Sequence, residues 1–334
     1  MSTDLLPEVA RIYGLPIQAF RPLAGGHFAA VYGFSQAGRN CVLRIIPPSD
    51  DVDLETTKAI LDWMHYLAKR GAGVPRPMPS PKGAWVQPIQ TEVGCYLASV
   101  SEQAPGILSE ELGEAQWSEA LYESLGRTVG RMHALSKDYA PPAGLRRLPD
   151  WDAGGNLFSP VKRLEGALAF LHPKREHILG RLAGLPKGRD VYGLIHADLH
   201  FGNFFVEAES GTITFIDFDD CAYGWYAMDL AMLLFDALVL HTGGDPDRFA
   251  ENFLRCLLKG YLPQNPMGAL WLRQLPHFLK LLEMSVYATV YKAYAAGTDD
   301  EWIGKFMPGR QARLENDVPY TGLDFERLAA DYAD

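Results

Sequence analysis

Over the first hundred positions, apolar residues come in short alternating runs, and beyond them the spacing turns helical. Residues 20–23, 30–34 and 41–46 read as strands. Ala24-Gly25-Gly26-His27 forms the turn between the first two, and Ser35-Gln36-Ala37-Gly38 the hairpin turn before the third. Pro47-Pro48 ends that strand, because proline has no N–H to give to a ladder. Ile60, Trp63, Met64 and Leu67 then recur at i, i+3, i+4 and i+7, which predicts a helix over 54–69, stopped by Gly71-Ala72-Gly73-Val74-Pro75. Two more short strands are expected at 84–88 and 96–100.

After Glu102-Gln103-Ala104-Pro105-Gly106, Leu121, Leu125, Thr128, Met132 and Leu135 line one face of a helix over 117–135. Residues 140–160, rich in Pro and Gly, read as a long loop, and 161–170 and 176–182 as short helices. Residues 203–206 and 212–218 bracket Glu209-Ser210-Gly211 as a hairpin. From Ala227 the pattern is helical again: Asp245-Pro246 caps and opens a helix running to Tyr261, and 270–294 is the longest helical run. The expected class is therefore α+β. A small antiparallel N-terminal lobe with one helix, residues 1–102, precedes a larger, mostly helical lobe, residues 103–334.

Composition narrows the partners. The 334 residues are 48% hydrophobic and 22% charged, enough for a sizeable core. The net charge of −10 argues against nucleic acid as the main partner, which needs clustered Lys and Arg, and leans toward neutral or cationic substrates. Cys41, Cys95, Cys221 and Cys256 are widely spaced, so reduced thiols in a cytosolic protein are expected rather than a disulfide or metal framework. Met1-Ser2-Thr3-Asp4 opens no signal peptide, and no apolar run is long enough for a membrane span; a cytoplasmic protein without membrane partners is expected.

The chemistry concentrates in His196-Ala197-Asp198-Leu199-His200-Phe201-Gly202-Asn203 and Ile216-Asp217-Phe218-Asp219-Asp220. A lone loop aspartate is usually a turn or capping residue. An acid, an amide five residues on and a second acid beyond an intervening hairpin form the set that phosphoryl transfer uses, where positioning and charge neutralisation do most of the work. Asp198 fits the group that orients an attacking hydroxyl. Asn203 and Asp217 supply hard oxygen ligands suited to Mg2+. Asp219 and Asp220 read equally well as metal neighbours or as solvated acids. His196 and His200 read as structural, since no further His or Cys stands at ligand spacing, and His133 as a packing or capping residue of its helix. Arg44, on an apolar strand, needs a partner and points to a cleft.

A β-rich lobe followed by a helical lobe bearing H-x-D-x-x-x-x-N and then I-D-F-D resembles the protein-kinase-like fold. His196-Ala-Asp-Leu-His-Phe-Gly-Asn203 resembles in particular the aminoglycoside phosphotransferase and choline kinase superfamily. The resemblance spans roughly residues 23–240. It implies a kinase that moves the γ-phosphate of ATP (or GTP), with Mg2+, to the hydroxyl of a small-molecule alcohol. Carried over, Asp198 is the catalytic base or orienter, Asn203 and Asp217 ligate the metal, His196 supports the loop and Asp229 braces it. Gly25, Gly26 and His27 cover the phosphates, Arg44 takes the place of the usual phosphate-holding lysine, and Ser99, Val100 and Ser101 begin a hinge against the purine. Glu55 and Asp62 are the nearby acids on the following helix, yet both lie off its buried stripe, so neither is assigned to Arg44.

Eleven residues separate Asp217 from Asp229, too few for the activation segment of a protein kinase. Two other readings stand beside the small-molecule kinase. One is a two-metal phosphohydrolase built on Asp198, His200, Asp217 and Asp220; the other is a nucleotide-binding protein without catalysis. The acceptor pocket is expected within 140–185 and 225–300, where Trp151, Asp152, Trp225, Tyr226, Glu283 and Tyr287 would suit a cation, although such residues are just as often core. Aminoglycoside, choline-like, homoserine-like and sugar acceptors all remain open.

Overall fold

The alternating N-terminal runs fold as one antiparallel sheet sandwiched between helices. The structure, a computed structural model, describes residues 5–23, 29–49, 53–113, 116–153, 158 and 165–332. Helix α1 (Leu6–Tyr13) comes first, with a proline in its opening turn. Strands β1 (Arg21–Pro22), β2 (Ala30–Gln36) and β3 (Arg39–Ile46) follow, then helix α2 (Leu54–Lys69) and strands β4 (Pro77–Met78), β5 (Val86–Thr91) and β6 (Gly94–Glu102). The sheet order is β1-β2-β3-β6-β4, with β5 also paired to β6. The β2–β3 hairpin turns on Ala37 and Gly38, both at positive φ, the geometry that matches strand twist in two-residue hairpins.

The N-terminal part carries two helices rather than the one expected. At eight residues α1 is too short for its periodicity to stand out, but Leu6, Val9, Ala10 and Tyr13 form a buried i, i+3, i+4, i+7 stripe. They pack with Phe34, Leu43 and Ile45 of the sheet as a separate small core. Helix α2 spans the expected residues; the Asp53 carboxylate caps it by accepting from the N–H groups of Glu55 and Thr56. Its stripe of Ile60, Trp63, Met64 and Leu67 joins the large core of the helical part. Trp63 meets Phe218 edge-on, with ring centroids 5.5 Å apart, so α2 ties the sheet to the loop that carries Asp217.

Beyond the link lie β7 (Ile107–Leu108), α3 (Glu119–Ser136) and α4 (Leu171–Leu182), which begins five residues earlier than its sequence pattern indicated. Of the short helix expected at 161–170, only a single 3-10 turn at Gly166–Leu168 falls within the described residues. Two small sheets then position the motifs. Strand β8 (Tyr192–Ile195) leads into His196 and pairs with β11 (Ala222–Trp225), which leaves the acidic run. Strands β9 (Phe204–Val206) and β10 (Ile213–Phe215) form the hairpin between the motifs. The β8/β11 pair was not legible as strands, being four residues each and buried on both sides. It closes the two motif loops onto each other.

Helices α5 (Tyr226–Leu240), α6 (Pro246–Tyr261), α7 (Ala269–Ala295), α8 (Glu301–Phe306), α9 (Arg310–Glu315) and α10 (Phe325–Ala330) complete the chain. Asp245 caps α6 and Pro246 opens it, as its sequence indicated. Among the described residues no helix is long and apolar enough to cross a membrane.

Helices α3 and α6 meet almost backbone to backbone. A Cβ on Gly126 would lie 1.8 Å from the Leu257 carbonyl oxygen, and one on Gly260 1.9 Å from that of Glu123. Only glycine fits at these crossings. Gly126→Ala is expected to destabilise the protein by about 1–3 kcal/mol through overpacking, seen as a lowered thermal midpoint. An unchanged midpoint would mean that the helices are not in this contact.

Candidate active site

Asp229, in the first turn of α5, is fully buried. Its Oδ2 accepts the N–H of His196 and its Oδ1 the N–H of Ala197, both at 2.9 Å. Ala197 sits at φ 66°, a left-handed conformation that costs a non-glycine residue about 1–3 kcal/mol unless its surroundings enforce it. The Asp229 carboxylate enforces it, and so aims the next residue, Asp198.

His196 is buried and joins the two motifs. Its Nε2 donates to the Ile216 carbonyl at 2.9 Å, leaving Nδ1 to accept the Asp198 N–H at 3.3 Å. Phe218 packs against its ring, 4.4 Å between centroids. Asn203 donates through Nδ2 to Asp198 Oδ2 at 2.9 Å and to the Asp198 carbonyl at 3.0 Å. Its carbonyl accepts the Ile216 N–H at 2.9 Å. With Nδ2 spent on Asp198, the Asn203 side chain has only its Oδ1 acceptor left, the kind of atom a hard cation needs. Asp217, at φ 62°, ends the regular hairpin and turns its carboxylate into the cleft. The donor set of one amide oxygen and one carboxylate fits a divalent cation that takes its remaining oxygens from phosphates and water. Among the described residues no group of three or more His, Cys, Asp or Glu side chains is arranged to hold a metal unaided, whereas the two-metal phosphohydrolase reading requires such a cluster.

Arg44 finds its partners across the cleft. Its guanidinium grips both oxygens of Asp219 at 3.0 and 2.6 Å and reaches Asp217 Oδ1 at 3.3 Å. Burial works against this charge, but Asp219 and then Asp217 outweigh it and raise the Arg44 pKa. The acids on α2 are engaged elsewhere: Glu55 pairs with Lys58 at 2.7 Å, and Asp62 accepts from the Tyr139 hydroxyl at 2.8 Å. Asp219, read from sequence as either a metal neighbour or a solvated acid, is thus the principal partner of Arg44. The pairing joins residues 175 positions apart, which sequence spacing does not reveal.

Other expectations meet the structure in different ways. Gly25, Gly26 and His27 lie outside the described residues. Ser99, Val100 and Ser101 are in the middle of β6, paired with Arg44, Leu43 and Val42 on one side and with Val86, Met78 and Pro77 on the other. Val100 is buried in the α1 core, and even Gln103, past the end of β6, still donates its N–H to the Asn40 carbonyl of β3 at 2.9 Å. Trp151, Trp225, Tyr226 and Tyr287 are core residues. Glu283 is fully buried in an ion triad with Lys280 and Arg310, which bonds it at 2.8 Å. None of these five is open to an acceptor. His133, expected to pack or cap, is buried and stacks on Tyr226, and it also bonds Asp229 at 2.9 Å.

Sequence reasoning also missed Asp236. It is buried on α5, where it accepts the Phe201 N–H at 2.7 Å and the Trp302 indole N–H at 2.8 Å. Its only sequence signal was an acid in an otherwise apolar helix. His200 accepts the Gly202 N–H through Nδ1 at 3.0 Å and sets Nε2 3.6 Å from Asp198 Oδ2.

The fold is that of the protein-kinase-like phosphotransferases. The family model described as "Phosphotransferase enzyme family" matches residues 19–265, and the chain belongs to that family. It is a small-molecule kinase. It is 31% identical to the amicoumacin kinase of Bacillus subtilis (strain 168) over 97% of this chain and 95% of that protein. Among solved structures it is similar to an amicoumacin kinase, hAmiN, in complex with AMP-PNP, Ca2+ and Ami, with a TM-score of 0.87 and 27% identity covering 98% of this chain and 96% of that one. A microcompartment-associated aminopropanol kinase shares the fold, with a TM-score of 0.75 and 22% identity over 97% of this chain and 99% of that one.

The crowding of acids has a titration consequence. Burial first, then the like charges of Asp198, Asp217 and Asp219, push the Asp220 carboxyl up to about 7. A carboxyl raised in the folded state costs nothing below its unfolded pKa, and costs stability progressively as pH climbs toward the folded value. Asp220→Asn should therefore match the parent protein in thermal midpoint near pH 4 and exceed it at pH 8, measured without divalent cations. An equal difference at both pH values would contradict this.

Proposed function

We propose that this kinase transfers the γ-phosphate of ATP (or GTP) to a hydroxyl of amicoumacin or a related small amine-bearing alcohol. The observation that carries the reading is the Asn203–Asp198 side-chain bond at 2.9 Å. It leaves one carboxylate oxygen to address a hydroxyl and one amide oxygen to address a metal. In this reading Asp198 aligns the acceptor hydroxyl and takes its proton as the new O–P bond forms and the bond from the γ-phosphorus to the nucleoside diphosphate breaks. Mg2+, held by Asn203 Oδ1 and Asp217, would neutralise charge on the phosphoryl group in transfer. Arg44 exchanges its grip on Asp219 and Asp217 for the α- and β-phosphates, a task its planar fork suits. Gly25, Gly26 and His27 would cover the phosphates, and the end of β6, from Ser99 and Ser101 into Gln103, would face the purine while Val100 anchors it in the core. His196 and Asp229 hold the loop. Residues 1–102 serve the nucleotide, and residues 103–334 serve the acceptor.

The choice of acceptor is supported by the relatives, since 31% identity over 97% of the chain is shared with an amicoumacin kinase. Aminopropanol is the second candidate, on likeness of fold to a kinase of that name. The family assignment as a phosphotransferase favours transfer over hydrolysis or passive nucleotide binding. Coupled ADP-release assays over amicoumacin, aminopropanol, choline, homoserine and an aminoglycoside should show turnover above the acceptor-free rate with amicoumacin. Asp198→Asn should lower kcat by about 10²–10⁴-fold while leaving nucleotide binding intact. Full activity of Asp198→Asn, or turnover equal with and without every acceptor, would sink this reading.

A further inference from the structure

Asp229 has a third hydrogen-bond donor that faces away from the loop. His133, near the C-terminal end of α3, sets Nε2 2.9 Å from Asp229 Oδ2. Its Nδ1 lies 2.9 Å from the Tyr261 hydroxyl at the end of α6. The Tyr261 hydroxyl in turn accepts from Asn265 Nδ2 at 2.7 Å. His133, Asp229 and Tyr261 are fully buried and Asn265 is 1% exposed, so bulk solvent does not compete for these bonds. The close α3–α6 crossing at Gly126, Gly130 and Gly260 brings His133 within reach of Tyr261. The Tyr226 ring stacks on the imidazole, 4.8 Å between centroids, and holds its plane.

Proton bookkeeping gives the line a direction. Asp229 Oδ2 already accepts the His196 N–H and, as a carboxylate oxygen, only accepts. The proton between Asp229 and His133 therefore sits on Nε2. Tyr261 has one hydroxyl proton and its oxygen already receives the Asn265 amide, so that proton goes to His133 Nδ1. Burial pushes the Tyr261 phenol well above its usual range, the Asn265 bond opposing this more weakly, so Tyr261 keeps the proton.

We infer that Asn265, Tyr261 and His133 are positioning residues: a buried, one-way hydrogen-bond relay that orients the Asp229 carboxylate, and through it the left-handed Ala197 and the aim of Asp198. The relay fixes the rotation of the Asp229 carboxyl so that its two oxygens face the two loop N–H groups at once. Without the His133 donor, a buried carboxylate loses one of three bonds and its reason to hold that rotation. Asp198 is then less well aimed, although nothing that touches nucleotide or acceptor has changed. This inference rests on the reading of Asp198 as the group that orients the acceptor.

Two measurements test it. In the unaltered protein, nitrogen-15 NMR of the histidine side chains, with His133 assigned by its loss in His133→Asn, should show His133 protonated at Nε2 and accepting at Nδ1. A ring protonated at Nδ1, alone or together with Nε2, overturns the relay, and this readout needs no variant to fold. In Tyr261→Phe, kcat should fall by about ten- to a hundredfold, the scale of a misaimed reacting group. Both KM values should stay within about twofold, and the His133 signals should shift or broaden. Tyr139→Phe, which removes a comparable hydroxyl bond to Asp62, should keep the parental kcat. Equal losses in the two variants, or an unchanged kcat in Tyr261→Phe, would overturn the inference. If Asp198→Asn stays active, the reading of the site fails instead, and the tautomer measurement still decides the relay.

Discussion

A single buried carboxylate, that of Asp229, is the constraint on which the site depends. An ionised group with no solvent contact is tolerable only when its oxygens are fully engaged. Here two of its donors are consecutive backbone N–H groups of the motif loop and the third is an imidazole. The electrostatic demand of the carboxylate thus becomes a geometric demand on the loop. Ala197 is held in a conformation it would not choose, and the direction of Asp198 follows from it.

The same economy runs through the neighbouring elements. His196 uses one ring nitrogen on each motif, so the loop holding Asp198 and the strand end before Asp217 move as one piece. Phe218 packs between His196 and Trp63, which extends that piece to α2. Asp236, two turns further along α5, takes up another N–H of the loop and ties Phe201 to α8 through Trp302. Arg44 spans the cleft by hydrogen-bonded ion pairs. Its pairing with Asp219 and Asp217 sets a guanidinium on the carboxylate proposed for the metal, so nucleotide and cation would enter by exchange against an internal cation.

The motif residues stood out because their spacing is one that phosphoryl transfer uses, and the bond between Asp198 and Asn203 is of the local kind that such spacing allows. The long periodic helices α2, α6 and α7 were legible for the same reason: a 3.6-residue stripe persists over several turns. What escaped was short or distant. The eight-residue α1 and the four-residue pair β8 and β11 carry too few residues for a period to register. The partners of Arg44, His133 and Asp236 lie 35 to 175 positions away and are chosen by helix crossings that the chain does not print locally. Glu283 stayed open between core and acceptor pocket for a related reason, since an acid on a helix looks the same whether it awaits a substrate or a buried Arg310.

Residue-resolved amide hydrogen exchange on the unaltered protein tests most directly whether Asp229 governs the loop. The N–H groups of His196 and Ala197 should exchange only through global unfolding, as slowly as the slowest amides of α5, despite lying in a loop. Exchange of these two amides by local opening, at the rate of the exposed turn at 208–211 while α5 stays protected, would contradict the account.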